Sequence, residues 1–138
     1  MKELKIETGL VEYNLNGAVK VSFNPADPAF ANRLYKAFDT LKEKQEHENV
    51  DLEKMSAGET FGYLERIDGE MRETIDSVFG VPVCAALFPE ISLYAMADGL
   101  PVWMQFMTAI MDELDEGIKR EQSFYSDKLA KYTKKYKR

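Results

Sequence analysis

One histidine, one cysteine and one tryptophan are all that the 138 residues supply, and this scarcity removes most ways of building a catalytic centre. A zinc site needs three or four Cys, His or carboxylate ligands at recognisable spacing, and no such cluster stands in the sequence. His47 lies in the polar run Glu46-His47-Glu48-Asn49, which reads as a solvated helix surface. Cys84 sits among Val83, Ala85 and Ala86 with no Lys, Arg or His close by to lower its pKa. It reads as a small buried hydrophobe in a reducing compartment. Gly58 and Gly62 lack the Lys-Ser/Thr ending and the preceding strand of a phosphate loop. The densest acidic run, Asp112-Glu113-Leu114-Asp115-Glu116, has no EF-hand spacing and reads as a solvated face. The expectation is a chain that is not an enzyme and needs no metal or cofactor.

Long hydrophobic runs are missing too. The longest apolar stretch, Val81 to Phe88, is far short of the ~20 residues that cross a bilayer. Met1 leads straight into Lys2-Glu3-Leu4-Lys5, so neither a secretion signal nor a membrane span is expected. Acid is absent from the last eleven residues, where Lys128, Lys131, Lys134, Lys135, Lys137 and Arg138 contribute +6. The rest of the chain then carries 12 basic against 24 acidic residues, −12 within a total of −6. An acidic body repels nucleic acid and argues against general DNA binding. The basic tail alone is suited to RNA, an anionic surface or an acidic partner.

What remains is the balance of a water-soluble folding domain, with 45% hydrophobic and 30% charged residues. The expected fold is mainly α with an N-terminal β-hairpin: a single domain over residues 1–138, with a hairpin at 4–23, a helical body at 24–118 and a basic helical extension at 119–138. Val11 to Asn14 and Val19 to Phe23 alternate apolar with polar around Asn16-Gly17, a hairpin signal. A two-residue loop would put the two apolar rows on opposite sides of the ribbon. A three-residue loop, Leu15-Asn16-Gly17 with Gly17 left-handed, pairs Tyr13 with Val19 and Val11 with Val21. It gathers Val11, Tyr13, Val19, Val21 and Phe23 on one face, which predicts that these five pack onto the helices. Leu4 and Ile6 have the opposite parity, so Gly9 marks a bulge or break.

Asp27 and Pro28 begin a helix as N-cap and first residue, with Phe30, Leu34, Phe38 and Leu41 at helical spacing. Ser56 and Glu59 form a capping box ahead of a second helix whose stripe is Phe61, Leu64, Met71, Ile75 and Val78, ended by Gly80 and Pro82. Pro82 to Phe88 reads as a short buried helix; residues 90–99 are too mixed to assign. Pro101 opens the last helix, with Trp103, Phe106, Met107, Ile110 and Leu114 on its apolar face. The pattern resumes at Ile118, Tyr125, Leu129, Tyr132 and Tyr136. Unbroken, this helix is longer than a compact domain of this size is wide. It must bend, with Gly117 the obvious place, or project. The candidate partner-binding residues are therefore Tyr125, Leu129, Tyr132 and Tyr136, a docking stripe for another helix or another copy, with Lys131, Lys134 and Lys135 beside it.

The order of two blocks resembles the tail assembly chaperones of siphophages and prophages of Gram-positive bacteria. The first block is the Asn16-Gly17 hairpin followed by Val21-Ser22-Phe23-Asn24-Pro25, Asp27, Phe30, Leu34 and Phe38. The second is Val78-Phe79-Gly80 followed by Asp98-Gly99-Leu100-Pro101, Trp103 and Phe106. Together they span most of residues 10–115. The resemblance implies a protein of the bacterial host cytoplasm that binds the tape measure protein, keeps it soluble, helps recruit tail-tube protein subunits and is absent from the finished virion. A homo-oligomer is also among the expected partners, and by charge and hydropathy neither nucleic acid nor membrane is. The competing expectation is a small adaptor that binds RNA or an anionic surface through residues 128–138, with Tyr132 and Tyr136 stacking on bases.

Overall fold

The computed structural model describes residues 1–47 and 50–136 and is mainly helical, with a hairpin near its start and one long helix at its end. Strands β1 (Val11–Leu15) and β2 (Val19–Phe23) form the hairpin, followed by helices α1 (Pro28–Glu46), α2 (Ala57–Phe79) and α3 (Val83–Leu87). A second, minimal hairpin of β3 (Met96–Ala97) and β4 (Leu100–Pro101) then delivers α4 (Val102–Tyr136).

The hairpin face is the expected one, but its register is not. Val11 pairs with Phe23, Tyr13 with Val21 and Leu15 with Val19, two residues along from the expected pairing of Tyr13 with Val19 and Val11 with Val21. A shift of two preserves the faces, so hydrophobic pattern alone does not choose between these registers. Turn chemistry does. Asn16 and Gly17 both take positive φ, the Ala18 N–H donates to the Leu15 carbonyl, and the Asn14 side chain accepts from the Gly17 N–H at 2.9 Å. The loop becomes Asn16-Gly17-Ala18, and Leu15 leaves it to join the apolar face. Val21 and Phe23 are buried and Tyr13 and Val19 half-buried, while Val11, at the outer end, is exposed. Lys20 and Glu12 face solvent and pair at 3.5 Å. The hairpin does not extend back to residue 4, because the chain breaks at Gly9 (φ +71). There the Asn24 side chain donates to the Thr8 carbonyl at 2.9 Å, and Leu4 and Ile6 stay exposed.

An aromatic chain joins this hairpin to the helices. Tyr13, Phe23 and Phe30 stack at 4.4 and 4.5 Å, Phe79 of α2 meets Phe23 and Phe30 edge-on, and Phe106 of α4 packs on Phe79 at 5.4 Å. Two strands are marginal alone in water, and this contact supplies what they lack. Asp27 caps α1 by accepting from the Ala29 N–H, and Ser56 caps α2 by accepting from the Glu59 N–H at 3.2 Å. The α2 stripe is Ile67, Met71, Ile75 and Val78; Phe61, assigned to it by spacing, is instead 70% exposed because α2 begins before it reaches the body. Leu64 is half-buried.

Side chains on α2 order the irregular segment after α3. Arg72 pairs with Asp68 at 2.7 Å and donates to the carbonyls of Cys84, Phe88 and Ile91. Asp68 accepts from the Leu93 N–H at 2.7 Å, and Asp76 from the Cys84 N–H at 3.0 Å. Leu93 is thereby fully buried. Asp98 and Gly99, both at positive φ, close the β3–β4 turn and aim α4 across the body. Trp103 is completely buried, with its indole N–H donating to Gln45 at 2.9 Å.

Candidate functional site

Helix α4 is continuous through Gly117; it runs unbroken through 35 residues, roughly 52 Å at ~1.5 Å per residue. Gly117 serves packing. A Cβ built on it would lie 2.7 Å from Pro25 Cβ and 3.0 Å from the Pro25 carbonyl oxygen. Glycine lets the β2–α1 turn rest directly on the helix, and this is the last point at which α4 is buried. Every described residue from Ile118 onward is exposed. The overhang, about 19 residues, is roughly 28 Å long.

The overhang keeps the face that the body uses. Trp103, Met107, Ile110 and Leu114 are buried, and the same 3–4 spacing leads on to Ile118, Tyr125, Leu129 and Tyr132. These four are 39%, 67%, 49% and 58% exposed. Sequence reasoning placed Tyr125, Leu129 and Tyr132 on one stripe, and the helix brings them together. It missed Phe124, exposed and lining the same open groove, because Phe124 falls one step off a strict heptad. The groove, about 630 Å³ in volume, is lined by Phe124, Tyr125, Leu129 and Tyr132 together with Glu121 and Lys128, and by Glu7 of the N-terminal segment. A second hollow, lined by Ala26, Ile118, Gln122 and Tyr125, continues it toward the body. Leu4, Ile6 and Leu10 add exposed apolar surface to the N-terminal segment that contributes Glu7. Of the basic candidates, Lys131, Lys134 and Lys135 are all exposed, and Lys128, Lys131 and Lys135 line a further shallow hollow with Tyr132. The Tyr136 side chain lies outside the described residues.

The residues that suggested chemistry by their type are spread through the body. Cys84 is buried, and burial, then Asp76 beside it, pushes its thiol up to about 12; a nucleophilic thiolate does not form there near neutral pH. His47 is not on a solvated surface. It ends α1 in a left-handed conformation, half-buried, with Nδ1 3.3 Å from Tyr63 Oη and its ring 5.7 Å from that of Tyr94. The neighbouring Glu48 and Asn49 lie outside the described residues. In the acidic run Asp112, Asp115 and Glu116 are exposed as expected, while Glu113 accepts a hydrogen bond from Tyr13 Oη at 3.3 Å. Among the described residues no three His, Cys, Asp or Glu side chains converge to hold a metal ion, and no helix is long and apolar enough to cross a membrane.

Fold and site together define a helical body carrying a continuous, amphipathic, basic-tipped helix beyond its edge. No family model matches the chain, and no curated protein or solved structure matches it.

Proposed function

We propose that this chain is a phage tail assembly chaperone, working in the cytoplasm of the infected or lysogenic bacterial host, that covers apolar helical stripes of the tape measure protein and helps recruit tail-tube subunits. The observation that carries the reading is the overhang of α4: an apolar face that leaves the body and continues for about 19 residues with basic side chains along its margins. A tape measure protein exposes long apolar helical stripes until a tube encloses it, and a helix-against-helix contact is the chemistry that such a stripe accepts. The motif order that resembles the family supports the same reading. Asn16-Gly17 is the hairpin turn, Asp27 caps α1, and Asp98-Gly99 turns the chain into α4. No catalytic role is assigned, and the protein is absent from the finished virion.

The test is co-expression with a phage tape measure protein. Replacing Tyr125 and Leu129 by Ser should abolish co-purification at both low and high salt. Replacing Lys131, Lys134 and Lys135 by Gln should weaken it little. If the lysine variant alone loses binding, or if the chain binds RNA tightly with a steep salt dependence in place of this partner, the adaptor reading replaces the chaperone.

A further inference from the structure

An unbroken helix that overhangs its own body is an energetic anomaly. Most helical stability in proteins comes from packing an apolar face against the body, and the overhang instead exposes Ile118, Phe124, Tyr125 and Leu129 in a row. Of its ion pairs, the one at Lys119–Asp115 (2.9 Å) sits at the root of the overhang, between exposed groups. Exposed pairs of that kind add little. Something that covers the row would offset the cost.

We propose that in the free protein the occupant is a second copy of this chain, docked antiparallel along the α4 overhang. Three observations point to it. Ile118, Tyr125, Leu129 and Tyr132 recur at intervals of seven, four and three, the seam spacing of paired helices. The helix is also electrically divided. Asp112, Glu113, Asp115, Glu116 and Glu121 against Lys119 and Arg120 give its first half a net −3. Lys128, Lys131, Lys134 and Lys135 against Asp127 give its second half +3. A parallel pair would set like halves together, whereas an antiparallel pair sets each half against its complement. Finally, the two charges that α4 itself contributes to the groove are Glu121 and Lys128, beside Glu7 of the N-terminal segment. They are seven residues apart, too far for an i,i+4 pair within one helix. A two-fold axis near Tyr125 brings Glu121 of one copy to Lys128 of the other, twice. It also seats Ile118 against Tyr132 across the seam. The one like-charge approach, Lys119 to Lys131, is softened by the Asp115 carboxylate already on Lys119.

This inference does not depend on the chaperone reading; it describes what covers the face when no other helix does. Sedimentation equilibrium on the full chain is the test. The expected species is twice the 15.8 kDa chain mass at micromolar concentration, weakening as salt is added. Glu121→Lys alone and Lys128→Glu alone each create two like-charge contacts and should weaken association roughly tenfold or more. The double variant Glu121→Lys/Lys128→Glu should restore it, as should mixing the two single variants. Leu129→Ser should give a monomer whose buried Trp103 fluorescence is unchanged, showing that the body stays folded. A monomer at high micromolar concentration overturns the proposal without touching partner binding. So does a dimer that salt strengthens, or one that the double variant fails to restore, since either means a parallel or unrelated contact.

Discussion

Replacing Gly117 by Ala tests where the body ends and the overhang begins. In most helix interiors this change is favourable, since glycine costs roughly 0.5–1 kcal/mol relative to alanine. Gly62 and Gly69 of α2 are the internal comparison, because an added methyl at either would meet nothing within 4 Å. At Gly117 the methyl would lie 2.7 Å from Pro25 Cβ and 3.0 Å from both Pro25 Cγ and the Pro25 carbonyl. None of these atoms is the free end of a flexible side chain. Relief requires moving the β2–α1 turn, which Asn24 holds by bonds to Thr8 and Ala26. Overpacking of this kind costs about 1–3 kcal/mol, which outweighs the helix gain. Unfolding entropy of ~2.1 cal/mol/K per residue gives roughly 0.3 kcal/mol/K for this chain, so 1 kcal/mol moves Tm by roughly 3 °C. Gly69→Ala should therefore raise Tm by about 2–3 °C, and Gly117→Ala should lower it by up to about 6 °C, once the helix gain is subtracted. Calorimetry at fixed protein concentration reads both. A Gly117→Ala protein as stable as Gly69→Ala would mean that α4 does not rest on Pro25 and that the overhang starts elsewhere.

Arg72→Met should cost about 2–4 kcal/mol in urea unfolding, because it leaves Asp68 without its cation and the Phe88 and Ile91 carbonyls without the guanidinium, while the Cys84 carbonyl keeps the Phe88 N–H; a loss below about 0.5 kcal/mol would refute the staple across residues 84–93. Cys84 titrates higher in the folded chain (about 12) than its ordinary 9.0. Its contribution is fully present below about pH 9 and is lost as pH rises from about 9 toward about 12. Cys84→Ala should flatten the alkaline fall in stability that begins near pH 9, and the native thiol should resist a thiol reagent at pH 8 until the chain unfolds. Fast labelling of the native protein would contradict its burial. Phe23→Ala should cost about 3–5 kcal/mol by breaking the stack between Tyr13 and Phe30, seen as a lowered urea midpoint. Dialysis against a chelator should leave Tm unchanged, and a drop of several degrees would reveal a metal at the acidic run.

Where local chemistry decided the structure, the sequence was readable. Asp27, Ser56 and Gly80 end or begin helices as their types require, and the buried faces of α1 and α4 follow spacing. Three features depended on something less local. The hairpin register turned on whether Leu15 belongs to the loop or the strand, and pattern cannot separate registers two apart. Residues 90–101 carry little periodicity, and Arg72 and Asp68 on α2 anchor them at Ile91 and Leu93; even so, Asp98-Gly99 was a hairpin signal in plain view. Phe61 and His47 were misplaced because helix spacing tells which face a side chain shares but not where along the helix the body begins. The docking stripe was legible as a period, yet its lining charges, Glu121 and Lys128, and its extra aromatic, Phe124, emerged only with the groove.

The most direct measurement is the co-purification of this chain with a tape measure protein, the partner proposed above, made with the wild type and with the Tyr125→Ser/Leu129→Ser variant at low and high salt. A complex that withstands salt and disappears only in the variant is the expected outcome. A complex unaffected by the two substitutions, or one carried by the lysines and dissolved by salt, would show that the projecting face of α4 is not the working surface.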